Sequence, residues 1–512
     1  MKSFLTQSVF FTLLLLSGAC ESLETVNDNN PSRDEVLTSG ADLMDVLRGG
    51  YLVWWQGVHG AHPVMALSVS SDTYGLSWDD FGAFRMGQEP RTFYNNRITE
   101  DQDYQQVVQA PWLGCHSAVS SANDVLSAMD KGVSIDNGGP QDESLRASAH
   151  FLRGISWGYL GLIFDKALLV DLQTDLDQPL PFTPYAQIID AAISEMEEAI
   201  SLAEAAGPEF IHLYFNGLGL REAEFTGLSH AYAARFLAQW PRTEEENAAA
   251  DWNRVLEHAA QGLDYDFAPM ADGGSWQSYQ QYAFAETGQG PFWARVDQRL
   301  VAAMDPSQPA RYPEVIAGGE APLDNPRASS DDQRLNTDFL FFPDNNFPVD
   351  RGEWHFSHYK HNRNKTDPGF AGNGSTDGPM PAFLAADNEL LQAEALLRLG
   401  RTGEAVNILN AGTRVNRGKL PALPLNSSPE AVQQAILYER AIELLSTAPM
   451  SLWFDRRRSA PRENYLEVTP LGGLQTGTPA QLPVPAGELD IQMEEPYNFG
   501  GPNDPLGIDP VF

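Results

Sequence analysis

Leu390-Leu391-Gln392-Ala393-Glu394-Ala395-Leu396-Leu397-Arg398-Leu399-Gly400-Arg401-Thr402-Gly403-Glu404-Ala405-Val406-Asn407-Ile408-Leu409 reads as a helix, a tight turn and the start of a second helix. Leu390, Ala393 and Leu397 line up beside Leu391, Ala395 and Leu399, an apolar stripe of helical period. Gly400 is the residue type that closes a helix, and Glu404 through Leu409 opens the next. Helix pairs joined by tight turns bury their apolar stripes by stacking on neighbouring pairs.

The same pattern recurs outward along the chain. A helix is expected behind Pro429, over 429–446. In 249–264, Trp252, Val255, Leu256, Ala259 and Leu263 make a one-sided stripe, and in 184–206 Ala192, Met196 and Ile200 recur every four residues. Residues 101–130 and 142–165 read as a longer pair, and 36–50 as a short amphipathic helix. No strict 34-residue period stands out. The fold class expected is mostly all-α: tetratricopeptide-like helix pairs forming a scaffold, with long irregular loops and a few short strands. One domain spans 35–512, its scaffold at about 36–50, 101–265 and 380–447. Gly/Pro-rich, aromatic loop regions fill about 51–100 and 265–380, and an irregular segment closes the chain over 459–512. Phe339-Leu340-Phe341-Phe342 suggests a small strand.

The N-terminus reads as an export signal. Lys2 precedes the apolar run Phe10-Phe11-Thr12-Leu13-Leu14-Leu15-Leu16, then Ser17-Gly18-Ala19 and Cys20. That run is too short to span a membrane. A cysteine directly after the small residues is the residue a bacterial lipoprotein acylates. On this reading 1–19 is the signal peptide, Cys20 the lipidation site, and 20–34 a polar tether. Lipoprotein signals usually carry Leu where this chain has Ser17, so ordinary secretion with cleavage near Gly18-Ala19 stays open.

Composition narrows the function. The 512 residues hold 33 Lys and Arg against 69 Asp and Glu, a formal net charge of -36. Nucleic acid is excluded as a partner, because phosphate binding needs clustered cations. Membrane attachment falls to the lipid alone. Only Cys20 and Cys115 are present, and a chain this long needs no disulfide to hold its core.

Several segments follow one another in a distinctive order: Phe151-Leu152-Arg153-Gly154 with Tyr159-Leu160-Gly161, Pro181-Phe182-Thr183-Pro184, and the 392–417 unit ending in Arg414 and Arg417. Glu439-Arg440-Ala441-Ile442-Glu443-Leu444 with Trp453-Phe454-Asp455 and Arg457 come next, then Pro483-Val484-Pro485 with Glu488. Together, in this order, they resemble the SusD/RagB family of outer-membrane nutrient-binding lipoproteins. The stretch Ser446 to Leu452 departs from the family's pattern, so the local loop must differ. The resemblance implies a surface lipoprotein of the outer membrane. It would bind an oligosaccharide and deliver it to a SusC-like TonB-dependent transporter barrel, without enzymatic activity or cofactor. A peptide or other nutrient as ligand, and a periplasmic helical-repeat scaffold binding proteins, are the alternatives.

No residue pattern supports catalysis. There is no Gly-rich phosphate loop and no Gly-x-Ser-x-Gly elbow. Glu439, Arg440, Glu443, Asp455 and Arg457 read as a structural ion-pair network between the last helix and the Trp453 segment. His355, His358 and His361 are spaced for a metal only on a helix. As a strand, His355 and His361 would share a face opposite His358, so no metal site is expected. Asp171, Asp175 and Asp177 lack the glycine turn and bidentate Glu of a calcium loop. The aromatics say more. A sugar offers a C–H face to stack on a ring and hydroxyls for amide, carboxylate or guanidinium groups. Asp72, Tyr74, Trp78, Asp79, Phe81, Arg85, Tyr94 and Asn95 supply that mixture in one segment, and Trp276, Tyr279, Tyr282 and Trp293 in another. These are the candidate ligand contacts.

Overall fold

Several helix boundaries fall where the sequence supplies caps. The computed structural model describes residues 37–76, 80–98, 100–278, 294–313, 327–343, 354–363 and 377–512. The long helices are α1 (Gly40–His59), α2 (Ala61–Ser70), the short α3 (Ala83–Gly87), α4 (Gln102–Asp130), α5 (Pro140–Ile163) and α6 (Tyr185–Ala206). They continue as α7 (Glu222–Gln239), α8 (Trp252–Ala260), α9 (Ala385–Arg398), α10 (Thr402–Ala411), α11 (Pro429–Ile442) and α12 (Ser451–Ser459). Ser39 and Asp42 form a capping box at the start of α1, the Asp42 carboxylate accepting from the Ser39 amide at 2.9 Å. Ser428 caps α11, with Pro429 behind it in the first turn. At the end of α9, Gly400 sits at φ +76; its N–H donates to Leu397 and that of Arg401 to Leu396. That is the Schellman closure, which needs a residue without a Cβ penalty in the left-handed region. The turn of the opening sequence is therefore set locally.

The helices then stack in chain order. α1 packs on α4, α4 on α5, α5 on α6, α6 on α7, α7 on α8, α8 on α9, and α9 on both α10 and α11. Each stripe read from sequence faces such a partner: Ala192 and Met196 are fully buried, as are Val255, Leu391 and Ala395. Close crossings use glycine. A Cβ on Gly114 of α4 would lie 2.8 Å from the Cα of Gly57 on α1, and one on Gly158 would lie 2.1 Å from the Phe236 ring. The architecture is the mostly helical, stacked-pair scaffold expected.

Strands are three-residue pairs at the margin. β1 (Tyr74–Leu76), β2 (Lys166–Leu168), β3 (Phe182–Pro184), β4 (Met270–Asp272), β5 (Ala294–Val296), β6 (Phe339–Phe341), β7 (Tyr359–His361) and β8 (Asp377–Pro379) form four antiparallel two-stranded ribbons. β1 pairs with β5, setting Tyr74 opposite Val296, and β6 pairs with β7, setting Phe339 opposite His361. No helix among the described residues is long and apolar enough to cross a membrane. The signal, Cys20 and the tether lie outside the described residues.

Two boundaries differ from expectation. The helix expected over 429–446 ends at Ile442, where the chain turns. The first helix does not stop at 50, and the irregular segment does not begin at 51. α1 runs on to His59, α2 follows at once, and irregular chain starts at Ser71. Tyr51, Trp54, Trp55 and Val58 are buried at helical spacing, so their aromatic bulk is core. In α2 every residue except His62 is buried, which removes the polar face that would mark a helix in sequence.

The charged constellation is an ion-pair lattice running well beyond α11 and α12. Arg440 bridges Asp387 at 3.1 Å and Asp455 at 2.6 Å. Arg235 holds the other oxygen of Asp387 at 2.6 Å, and Arg458 joins Asp455 to Glu394 at 2.8 and 2.7 Å. Glu439 and Glu443 turn the other way, to Arg334 at 2.7 and 3.0 Å, and Glu443 also meets Arg417 and Arg363. Arg457 is the exception among the five: it donates to the carbonyls of Leu162, Ala480 and Gln239 instead of a carboxylate. Burial pushes the Asp455 carboxyl up, but Arg440 and Arg458 outweigh it and hold it below the usual carboxylate range.

Removing Arg440 leaves Asp387 and Asp455 buried without that partner. Arg440→Ala is expected to cost about 3–5 kcal/mol, read as a lower urea midpoint. A loss under about 1 kcal/mol would show the lattice to be passive.

Candidate functional site

The irregular chain between α2 and α4 builds a cleft of about 460 Å³. It opens with a turn at Phe81 and Gly82, φ +59 and +70. A Cβ on Gly82 would sit 2.7 Å from Val107 and 3.1 Å from Tyr104, so this close approach to α4 requires glycine. The turn leads into α3, which presents Phe84 and Arg85 to the cleft. Thr92, Phe93, Asn95 and Ile98 supply another part of the wall, and Asp101 and Tyr104 the part at the start of α4.

The polar groups of the cleft are held in place. Asp101 caps α4, one carboxylate oxygen accepting from the Tyr104 amide at 3.0 Å and the other from Arg85 Nε at 3.2 Å. The Arg85 guanidinium lies 5.3 Å from the centre of the Tyr104 ring. Tyr94 stacks on Tyr104 at 4.6 Å, and the Asn95 amide donates to the Tyr104 hydroxyl at 2.8 Å. Burial raises the Tyr104 pKa well above that of a free phenol, so its hydroxyl stays neutral. Phe93 is 37% exposed. Exposed aromatic surface beside a positioned guanidinium, a carboxylate and an amide suits a ligand with both apolar faces and hydroxyls.

Behind the cleft lies a buried knot of charge. Asp72 accepts from Arg91 and Arg299, each at 2.5 Å, and from Gln475 at 3.1 Å. Glu89 meets Arg311 at 2.7 Å, His355 at 2.6 Å and Gln475 at 2.8 Å; His355 also meets Asp297 at 3.2 Å. Burial alone would lower the His355 pKa, but Asp297 and Glu89 outweigh it and push it up to about 10. The ligating atoms of Asp72, Asp297 and His355 lie within 4.8 Å of one another, a spacing open to a metal ion. Both Asp72 oxygens already face guanidinium groups and His355 is a cation, so this donor set fits an ion-pair knot. It joins residues 72–91 to 297–299, 355 and 463–475.

The structure separates the sequence candidates. Phe81, Arg85 and Asn95 gather at or beside the cleft, where the ring of His62 meets that of Phe81 at 5.4 Å. Asp72, Tyr74, Tyr94 and Trp276 are buried. Asp72 is the centre of the knot, Tyr74 hydrogen-bonds Ser446, and Tyr94 backs Tyr104. Trp276 packs 5.3 Å from Trp55, whose indole N–H donates to the Gln277 carbonyl. Trp78, Asp79, Tyr279, Tyr282 and Trp293 lie outside the described residues. Gln88, Phe93, Asp101 and Tyr104 line the cleft and are not among the sequence candidates. The Asp101 cap three residues before Tyr104 is the signal that could have placed both beside the loop. The histidine run does not share faces as a single strand would have it: His355 enters the knot, His358 meets the Phe342 carbonyl at 2.8 Å, and only His361 lies in β7, against Phe339. Asp171 and Asp175 accept from amides of their own turns.

No protein-family model matches the chain, and no curated protein matches it. Solved structures do. A SusD superfamily protein from Parabacteroides distasonis matches with a TM-score of 0.62 at 13% identity, covering 88% of this chain and 97% of that one. A SusD-like carbohydrate binding protein from Bacteroides vulgatus matches at 0.56 and 15%, covering 83% and 86%. A structure determined with xylogluco-oligosaccharide matches at 0.52 and 12%, covering 80% and 82%. The resemblance read from sequence thus holds at the level of the fold, over most of the chain.

His355 ties stability to pH with a definite sign. Its folded pKa is raised above that of a free imidazole, so its contribution is complete below about pH 6.5 and is lost as pH rises through about 10. His355→Gln is therefore expected to lower the urea midpoint most at pH 6, with the gap to the unmodified protein narrowing towards pH 10. A gap independent of pH would contradict a charged His355.

Proposed function

We propose that this chain is a lipid-anchored, non-enzymatic binding protein. It captures an oligosaccharide in the Gly82–Tyr104 cleft and passes it to a SusC-like TonB-dependent outer-membrane transporter. The cleft carries the reading: it offers Phe84 and Phe93 as stacking surfaces beside Arg85, Asn95 and Asp101 as hydroxyl partners. The fold shared with a carbohydrate binding protein and with one holding xylogluco-oligosaccharide supports a glycan. The net charge of -36 favours a neutral glycan over an acidic one by long-range repulsion. Trp78, Asp79, Tyr279, Tyr282 and Trp293 are proposed as further contacts of the same ligand. Cys20 is the proposed lipid attachment, and the polar chain to Asp34 the leash that lets the body move over its partner. Anchoring by acyl chain suits a body with too much negative charge to adhere to an anionic membrane.

Isothermal titration against neutral oligosaccharides is expected to show binding. Phe93→Ala and Arg85→Ala are each expected to weaken it about tenfold or more, at unchanged circular dichroism. Binding of peptides alone would transfer the reading to another nutrient, and binding of neither class would overturn it. Palmitate labelling in the native host is expected to disappear in Cys20→Ala. Failure of the whole protein to copurify with an outer-membrane barrel would remove the delivery step.

A further inference from the structure

Three neighbouring helices of the scaffold bring two histidine rings together at a tilt of 49°, far in sequence from the cleft residues. His230 projects from α7 and His258 from α8, and their Nδ1 atoms are 2.9 Å apart. Glu197 of α6 lies 3.5 Å from Nε2 of His258, on the other side of that ring. The same carboxylate is held by Arg254 Nη2 at 2.7 Å. His258 is buried, whereas His230 is half-buried and open to solvent on part of its ring. Nothing in the proposed glycan binding uses these groups.

The geometry points to a site for a divalent transition metal, of the Zn²⁺, Cu²⁺ or Ni²⁺ class, held by Nδ1 of His230 and Nδ1 of His258. Imidazole is the side chain these ions favour. Nitrogen ligands about 2.0–2.1 Å from a tetrahedral zinc sit roughly 3.3 Å from each other, so the two nitrogens need part by only a few tenths of an ångström while the rings turn to aim both lone pairs at the ion. The Glu197 carboxylate is placed to accept the Nε2 proton of His258. This leaves Nδ1 of that ring with its lone pair, the arrangement by which a carboxylate behind a histidine prepares it as a ligand. In the metal-free pair the His230 Nδ1–H donates to that lone pair. On binding, this proton moves to Nε2 of the same ring, both Nδ1 lone pairs face the ion, and neither imidazole loses a proton. Water fills the remaining positions.

The surrounding charge is consistent with neutral rings. Burial, then the neighbouring His258, lowers the His230 pKa to about 4, and burial also lowers that of His258 against the pull of Glu197. Glu257 adds a second carboxylate near His258, and Arg254 the opposing cation. Neutral imidazole is the form that ligates metal.

The test is calorimetric titration of ZnCl₂, NiCl₂ and CuCl₂ into the whole chelator-treated protein at pH 7.5. One ion per chain is expected. His230→Gln and His258→Gln should each weaken binding at least tenfold, and Glu197→Gln by about tenfold or more. His62→Gln, at a surface histidine paired with Asp103, should leave it unchanged. His230 is partly exposed, so its variant keeps the test decisive if His258→Gln does not fold. Cu²⁺ electron paramagnetic resonance should show coupling to two imidazole nitrogens, reduced in His230→Gln. No saturable binding, or binding that survives His230→Gln or is abolished by His62→Gln, would overturn the site.

Discussion

Arg440, held between Asp387 and Asp455, is the interaction on which the arrangement of the scaffold turns. Asp387 comes from α9, Arg440 from α11 and Asp455 from α12, and through Arg235 and Arg458 the same lattice reaches α7 and Glu394. Apolar stripes bring helices together without saying which residue faces which. A buried carboxylate does say so, because an uncompensated charge in the interior costs several kcal/mol and a guanidinium meets it only in a narrow geometry. The lattice therefore acts as a register for helices that the hydrophobic effect alone would let slide.

The same chemistry fixes the back of the proposed site. The irregular chain between α2 and α4 has few backbone hydrogen bonds of regular type, yet its polar groups are positioned. Asp72, Glu89 and Arg91 are tied to Arg299, Arg311, His355 and Gln475, which lie in the middle and late parts of the chain. On the solvent side, Asp101 serves at once as helix cap and as partner of Arg85. A loop fastened at both faces can present Phe84, Phe93 and Asn95 with little further ordering when a ligand arrives, which preserves binding free energy.

Much of this was legible in the chain. Stripes of period 3.6, a glycine at the helix end and Pro429 behind a serine cap are local signals, and α6, α9, α10 and α11 follow them. α2 was not legible, because a helix buried on nearly every side has no polar face to set its period. The tryptophans of α1 show the same ambiguity: Trp54 and Trp55 fall in the stretch 51–100 that sequence marks as an aromatic loop region, and only their packing shows them to be core. Asp72 and Tyr74 misled for a related reason, since a polar or aromatic side chain serves a buried partner as readily as a ligand. The Phe93 wall carries no motif, and Tyr104 is marked only by the Asp101 cap three residues before it. They become a cleft only because the Gly82 turn brings α3 against the start of α4.

The sequence by itself determined the helical pairing, the acidic charge, the ion-pair role of the Glu439–Asp455 segment and the family resemblance, all of which are encoded at short range or in composition. Only the tertiary structure decided which carboxylate meets which arginine, which aromatics are buried and where a cleft opens. Those depend on contacts between residues more than a hundred positions apart, such as Asp72 with Gln475 and Arg235 with Asp387, and no local period or spacing records them.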